Sequence, residues 1–364
     1  MTTPTSRSAS TARTVRIGGD RVSLRVSPRL VLATTVVTVV LLAVATLSLY
    51  VGNSQVTPTR VTEIILGDYG AATRFEILAV LDVRLPRVLS AILVGLAFGV
   101  SGALFQRLTG NPLGSPDIIG FTSGVATGAV AALALGTVGI GAALGGARPS
   151  IEAGAIVGGI VSAALIYLLA WRGGLDGFRL ILVGIGVSAV LSAVRAYILS
   201  RADLGAAQTG YRWLTGGLGG RDWDDVALLV VGAMILVVPT VLLHRPSDRL
   251  SVGRELATSQ GLPVGRWLVT MAVVGTGWIA LAVIVAGPIG FVALAAPHVA
   301  RLLTGRPGPH LATSGLVGAA LLVVADIISM RALAPTQLPT GVVTGILGGI
   351  YLLWLLQSRR RGTA

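Results

Sequence analysis

The 364-residue chain contains no cysteine and no lysine, and charged residues of any kind are scarce. The absence of cysteine excludes disulfides and thiolate metal sites. The three histidines, His244, His298 and His310, are too widely spaced to form a metal-ligand motif. Only 12% of the residues are charged, against about 25% in an ordinary soluble domain. With 53% hydrophobic residues and a mean hydropathy of +0.84, the composition predicts an integral membrane protein.

The basic residues are all arginine, 28 of them, and they give a formal net charge of +13. So positive a charge is also typical of nucleic-acid-binding proteins. In membrane proteins, however, basic residues collect in cytoplasmic loops. We therefore expect the lipid bilayer, and no nucleic acid, as the partner of these arginines.

Apolar runs divide the chain into about ten predicted membrane spans, because about 20 apolar residues cross a hydrocarbon core of about 30 Å. The predicted spans are Leu30–Val51, Pro86–Gln106, Ile118–Leu135, Ile151–Leu169, Leu180–Ser200, Val226–Leu243, Trp267–Ala286, Ile289–Leu303, Leu311–Ser329 and Gly341–Leu356. Together they form one permease domain over residues 30–358. Residues 1–29 are predicted to be a disordered, arginine-rich cytoplasmic tail, and residues 359–364 a short cytoplasmic tail.

The arginines also predict the orientation of the chain. With the N-terminus inside the cell, roughly twice as many arginines fall in inside loops as in outside loops. Since cytoplasmic loops carry the excess of basic residues, we predict a multi-pass protein of the cytoplasmic membrane with both termini in the cytoplasm.

The stretch GPIGFVALAAPHVAR, residues 287–301, is apolar but contains two prolines and a histidine. Proline breaks a helix, and in lipid such a break survives only where neighbouring helices or a cavity satisfy the freed backbone groups. We predict a broken span beside a translocation path. A metal site would need further ligands nearby, so a structural role with the ring hydrogen-bonded to freed backbone is favoured for the histidine. The candidate structural residues are Gly287, Pro288, Gly290, Pro297 and His298.

Three charged residues near the predicted outer surface are expected to interact with other groups. Arg84 and Arg87 share one face if the segment is helical, and either they snorkel to lipid headgroups or they bind carboxylates of an extracytoplasmic partner. Asp326 would be costly in contact with lipid. We predict that it pairs with an arginine or faces a cavity, a proton relay being the less favoured alternative.

The longest predicted cytoplasmic loop, residues 244–266, contains the segment GRELATSQ, which can form a short helix ended by Gly261. Leu256 would lie on one face of that helix, with Arg254 and Glu255 in solvent. The segment is either a solvated connector or a docking helix for a cytosolic partner.

Seven motifs in order carry a family resemblance. They are RLPR (84–87), SGALFQ (101–106), NPLGSPDIIG (111–120), RWLTGGLGGRDW (212–223), GRELATSQGLPV (253–264), GPIGFVALAAPHVAR (287–301) and, after Asp326, QLPTGVVTG (337–345). By these motifs the chain resembles the membrane-spanning permeases of ABC importers for iron–siderophore chelates, haem and vitamin B12 (cobalamin). The resemblance runs from Leu30 almost to the C-terminus.

The resemblance implies an all-α integral membrane protein with the type II ABC importer fold and about ten transmembrane helices. It implies that the chain assembles with a second permease subunit (a copy or a paralogue) and a cytosolic ABC ATPase dimer, and that an extracytoplasmic binding protein or lipoprotein delivers the cargo. It implies no cofactor. The implied coupling residues are Gly253, Arg254, Glu255, Leu256, Ala257 and Gly261, and the implied docking arginines are Arg84, Arg87 and Arg331.

The expected function is transport of iron(III)–siderophore complexes, with cobalamin or haem as alternative cargo. The sequence contains no GxxxxGK[ST] phosphate loop, so ATP hydrolysis is expected in a separate subunit and the chain is not expected to be an enzyme. An ion-coupled secondary transporter is disfavoured, because Asp326 is the one clear acidic residue within a predicted span.

The chain departs from the family pattern at several places. The arginine that usually follows the aspartate by four residues falls one position later, at Arg331, with Met330 in its usual place. Gln337 stands where relatives have glutamate before Leu-Pro. The usual proline of span 10 is absent from Gly348-Gly349-Ile350.

Overall fold

The structure is a computed structural model of the full chain. The residues that it describes are 13–17, 22–26, 28–52, 56–137, 150–172, 174, 176–250, 253–305, 308, 310–334 and 336–361. This part of the chain is helical, apart from one pair of short strands near the N-terminus.

In the described ranges, ten main helices correspond one to one with the predicted spans. They are α1 (Pro28–Tyr50), α2 (Leu85–Thr109), α3 (Phe121–Thr137), α4 (Ile151–Ala170), α5 (Gly177–Arg201), α6 (Trp223–Leu242), α7 (Val264–Ala286), α8 (Val292–Thr304), α9 (Leu311–Arg331) and α10 (Thr340–Arg361). By length and composition, seven of these segments can cross a membrane, and α3, α8 and α10 have shorter apolar stretches. The predicted membrane protein with about ten helices is confirmed.

Shorter helices connect the main ones. They are Pro58–Ile65, Arg74–Leu78, a π-helical turn at Ala79–Arg84, Pro116–Ile119, Leu204–Leu214, His244–Leu250 and Arg254–Ser259. The π-helical turn runs directly into α2. We call the end of the bundle at which α2 begins the outer end and the opposite end the inner end, following the predicted orientation.

The N-terminal tail contains two strands, β1 (Arg13–Ile17) and β2 (Val22–Val26), which pair in antiparallel register. Part of the segment that we predicted to be disordered is therefore paired locally. A lone two-stranded hairpin is marginally stable in water. The remaining residues of the two predicted tails, except those of α1 and α10, lie outside the described part of the chain.

Helix α2 is the centre of the fold. It contacts α1, α5, α6, α7, α8 and α9, and side chains such as Phe98 and Phe105 on it are fully buried. A methyl group added at Gly99 would overlap the backbone carbonyl oxygen of Ser314 in α9. Small residues allow this close approach of helices in a membrane, where no hydrophobic force drives helices together. The SGALFQ region is therefore the core against which the other helices pack.

Candidate functional site

The first predicted docking residue, Arg84, is buried at the outer end of the bundle. It is the last residue of the π-helical turn before α2, and it is 5% exposed. Its Nη1 donates a hydrogen bond of 3.0 Å to the carbonyl oxygen of Leu49, near the end of α1. The guanidinium thus connects α1 to α2 from within the protein, instead of extending to headgroups.

The second predicted docking residue, Arg87, forms a bidentate ion pair with Asp326. Its Nε lies 2.8 Å from Oδ2 and its Nη2 lies 2.9 Å from Oδ1. Asp326 is 1% exposed, and its Oδ1 also accepts a hydrogen bond of 2.9 Å from the Thr340 hydroxyl. The prediction that Asp326 pairs with an arginine is confirmed. The pair connects α2, α9 and the start of α10.

Gln337 completes this cluster at its exposed edge. Its Oε1 accepts a hydrogen bond of 3.1 Å from Arg87 Nη1. A glutamate at this position would add a second negative charge beside Arg87. With glutamine, Asp326 is the one carboxylate that pairs with Arg87 among the described residues.

Arg331 occupies a different environment from the other two arginines. It is the last residue of α9 and is exposed, whereas the preceding Met330 is 4% exposed. Met330, Arg84, Arg87 and Gln337 line a cavity of about 380 Å³ at the outer end. The one-residue shift of the arginine therefore places an apolar side chain in the cavity wall and an exposed cation at the surface.

The predicted short helix of the longest inner loop is confirmed at Arg254–Ser259. The glycines on either side, Gly253 and Gly261, have φ of +125° and +76°, values that residues with a side chain rarely adopt. Ala257 is 1% exposed and anchors the helix, whereas Leu256 is 55% exposed. An apolar side chain is thus presented to the inner side of the protein.

Of the two charged residues in this helix, the structure describes the side chain of one. Glu255 is exposed, and the Arg254 side chain lies outside the described part of the chain. A preceding helix, His244–Leu250, was not predicted. A signal for it is Pro246 in the first turn, where proline is tolerated, within a segment that was predicted only as a loop.

The break in the 287–301 stretch lies between α7 and α8. Helix α7 ends at Ala286 and α8 begins at Val292, three residues later than the predicted span. Pro288 and Gly290 lie in this segment, which adopts no regular structure. Phe291, which precedes α8, has a φ of +68°.

Neighbouring elements satisfy the backbone groups freed at this break, as predicted. The Gly217 amide donates to the Ala286 carbonyl at 2.8 Å. Arg221 Nη1 donates to the Val285 carbonyl at 2.7 Å. Gly287 packs directly on the carbonyl oxygen of Trp213. The loop before α6 therefore caps the end of α7.

Pro297 and His298 are both buried in α8. The His298 ring contacts the ring of Tyr351 edge-on, with centroids 5.9 Å apart. Its Nδ1 pairs with the guanidinium of Arg301, and the hydrogen bond from the ring to freed backbone stays a prediction. Among the described residues, no group of three His, Asp or Glu side chains could hold a metal ion.

Known proteins resemble this chain over most of its length. The sequence profile of the FecCD transport family matches residues 40–358. The chain is 42% identical over 294 residues, covering 80% of this chain and 87% of the relative, to the ferric enterobactin transport system permease protein FepG of Escherichia coli (strain K12). It is 37% identical over 310 residues, covering 82% of this chain and 89% of the relative, to the vitamin B12 import system permease protein BtuC of Shigella boydii.

The fold has a counterpart among solved structures. A metal-chelate type ABC transporter in an inward-facing conformation superposes with a TM-score of 0.75 at 25% sequence identity, covering 89% of this chain and 98% of that one. The order of the motifs, the helix arrangement and these matches agree. The chain belongs to the FecCD transport family, as a membrane-spanning permease subunit of an ABC importer.

Proposed function

We propose that this permease moves iron(III)–siderophore complexes across the cytoplasmic membrane. The observation that carries the proposal is the 42% identity, over 80% of the chain, to a permease for ferric enterobactin. Energy comes from a separate ABC ATPase dimer, since the sequence has no phosphate-binding loop. Cargo arrives from an extracytoplasmic binding protein, a second permease subunit completes the path, and both termini lie in the cytoplasm.

Cobalamin is the second candidate cargo, because a vitamin B12 permease is 37% identical over 82% of this chain. Both cargoes would use the same transport cycle. Cargo recognition in this family is expected mostly in the binding protein.

The inner docking site of the proposed ATPase is the helix Arg254–Ser259. Its exposed Leu256 provides an apolar anchor, and its buried Ala257 fixes the helix to the permease. Movement of the ATPase subunits on ATP binding would be transmitted through this anchor to α7, which begins five residues after the helix ends.

The outer surface is the proposed docking site of the binding protein. Arg331 is the exposed arginine of the three, and an exposed guanidinium can form a bidentate pair with a carboxylate. Arg84 and Arg87 lie beneath that surface, where Arg84 adds positive potential and the charge of Arg87 is balanced by Asp326. They also hold α1, α9 and α10 in place around it.

Reconstitution tests the cargo. The permease, with its ATPase and its binding protein, would be placed in vesicles and offered ferric enterobactin, a ferric hydroxamate or cyanocobalamin. We expect ATP-dependent uptake of at least one iron chelate and none of cyanocobalamin. Uptake of cyanocobalamin alone, or uptake of iron chelates without ATP, would contradict the proposal.

The same vesicles test the coupling helix. Leu256→Asp places a charge where an apolar anchor is expected to be buried, and loss of such an anchor weakens a protein interface by about 30-fold or more. We expect the ATPase to co-purify poorly and uptake to fall by a similar factor. Gln260→Ala, at an exposed position just after the helix, is the control. Equal co-purification of the two variants would rule out Leu256 as the anchor.

A further inference from the structure

A second, larger cavity lies apart from the outer docking surface, and its inner mouth is formed by the short helix that precedes Arg254–Ser259. It has a volume of about 770 Å³ and opens between α2, α6, α7 and α9, toward the inner end of the bundle. Its walls are mostly apolar, and their main side chains are Leu96, Val100, Val237, Val241, Leu311 and Leu316.

The polar groups in the wall of this cavity satisfy one another. The indole nitrogen of Trp278 donates a hydrogen bond of 2.8 Å to the Thr240 hydroxyl, and that hydroxyl donates to the Leu236 carbonyl at 2.6 Å. The middle of the cavity therefore offers an apolar surface to whatever fills it. Val241 and Leu242 at its edge are 66% and 65% exposed, so the cavity opens sideways from the bundle.

The inner mouth of the cavity has the opposite character. His244 and Arg245 line it where α6 ends, and both are exposed. No acidic residue is among the described residues that line the cavity. An apolar slot within the membrane thus ends at a cationic group at the membrane surface.

We infer that this cavity binds an anionic phospholipid. One acyl chain would lie between α6 and α9, and the phosphate would contact Arg245 at the inner mouth. A guanidinium matches the geometry of phosphate, and basic pockets between membrane helices on the cytoplasmic side suit anionic headgroups. The site lies on the lateral surface of the permease and is independent of its cargo.

A second permease subunit fits this groove less well. A protein partner covering the groove would have to supply an acidic side chain of its own to the Arg245 guanidinium, because none is among the described residues that line the groove. A buried charge without a partner is strongly destabilising. A lipid supplies both the apolar chain and the negative charge.

Lipid titration of the purified full-length permease, followed by native mass spectrometry, tests the site. The probes are phosphatidylglycerol and phosphatidylcholine with identical acyl chains. We expect tighter binding of phosphatidylglycerol. Arg245→Gln should weaken that binding by about fivefold, the effect of one arginine near an anionic headgroup, and should leave phosphatidylcholine unchanged. Arg249→Gln is the matched control, because Arg249 is exposed on the same short helix but does not line the cavity.

A second variant tests the apolar part of the site. Ala312 is exposed at the cavity edge in α9, so Ala312→Phe can project a ring into the cavity without disturbing the core. We expect it to reduce binding of both lipids. The inference is overturned if Arg245→Gln behaves as Arg249→Gln does, or if Ala312→Phe retains lipid. It is equally overturned if Ala312→Phe changes the subunit stoichiometry, or if glycerol 3-phosphate, which has no acyl chain, displaces the lipid.

Discussion

Arg87 and Asp326, which the sequence places near the outer surface, pair with each other inside the protein. Both oxygens of the carboxylate are engaged by the guanidinium at 2.8 and 2.9 Å, and a hydroxyl from α10 adds a further hydrogen bond. The residues lie 239 positions apart in the chain. Their geometry is that of a structural pair, and a docking partner would have to compete with Asp326 for Arg87.

Removal of one member of this pair should be costly. Asp326→Asn leaves the guanidinium without its counter-charge, and we expect a loss of about 3–5 kcal/mol in the free energy of unfolding. Thermal or denaturant unfolding of the purified permease in detergent measures the loss. The double variant Arg87→Met with Asp326→Leu should recover most of it, because apolar side chains can replace a buried ion pair with little cost.

Gln337→Ala provides the comparison at the same cluster. It removes the hydrogen bond at the exposed edge, so a loss of only about 0.5–1.5 kcal/mol is expected. If Asp326→Asn were no more destabilising than Gln337→Ala, the ion pair would contribute little to the outer end of the bundle.

At the scale of elements, the break between α7 and α8 depends on its contact with α10. Phe291 adopts a left-handed backbone conformation that is unfavourable for an aromatic residue. Its side chain lies against Gly348, where a methyl group would overlap the Phe291 Cβ. Gly348 thus makes room for the residue at the break.

This contact predicts different effects for two adjacent substitutions. Gly348→Ala should destabilise the permease by about 1–3 kcal/mol, because an extra methyl group overpacks the contact. Gly349→Ala should be neutral or slightly stabilising, since no described atom lies within 4 Å of its added methyl group and alanine favours a helix over glycine. The unfolding midpoints of the two variants, measured side by side, test this prediction: the midpoint of Gly348→Ala should be the lower one. Equal midpoints would show that Phe291 does not depend on this contact.

At the scale of the whole molecule, the absence of cysteine makes the orientation testable. A single introduced cysteine is the only thiol in the chain. Ala71 lies in an exposed loop at the outer end, and Gln357 is exposed near the end of α10. A membrane-impermeant maleimide should label Ala71→Cys in spheroplasts, whereas Gln357→Cys should react only after the membrane is opened. The reverse pattern would place the termini outside the cell.

The sequence by itself determined the membrane class, the ten helices, the break after α7 and the short helix near Leu256. These features depend on local properties: the length of an apolar run, the missing amide of proline and the backbone freedom of glycine. The boundaries differ from the helices by a few residues because capping depends on contacts. Helix α8 begins three residues later than predicted, at Val292, after a break at which the loop before α6 satisfies the end of α7.

Only the tertiary structure decided which charged residues are available to partners. The sequence indicates that Arg84 and Arg87 form a cationic surface patch. In the structure, however, their guanidiniums donate hydrogen bonds to groups 35 and 239 residues away in the chain. The lateral cavity beside Arg245 likewise forms from four helices that are separate in the chain. Burial and pairing arise when distant segments meet, so no local pattern of residues could have shown them.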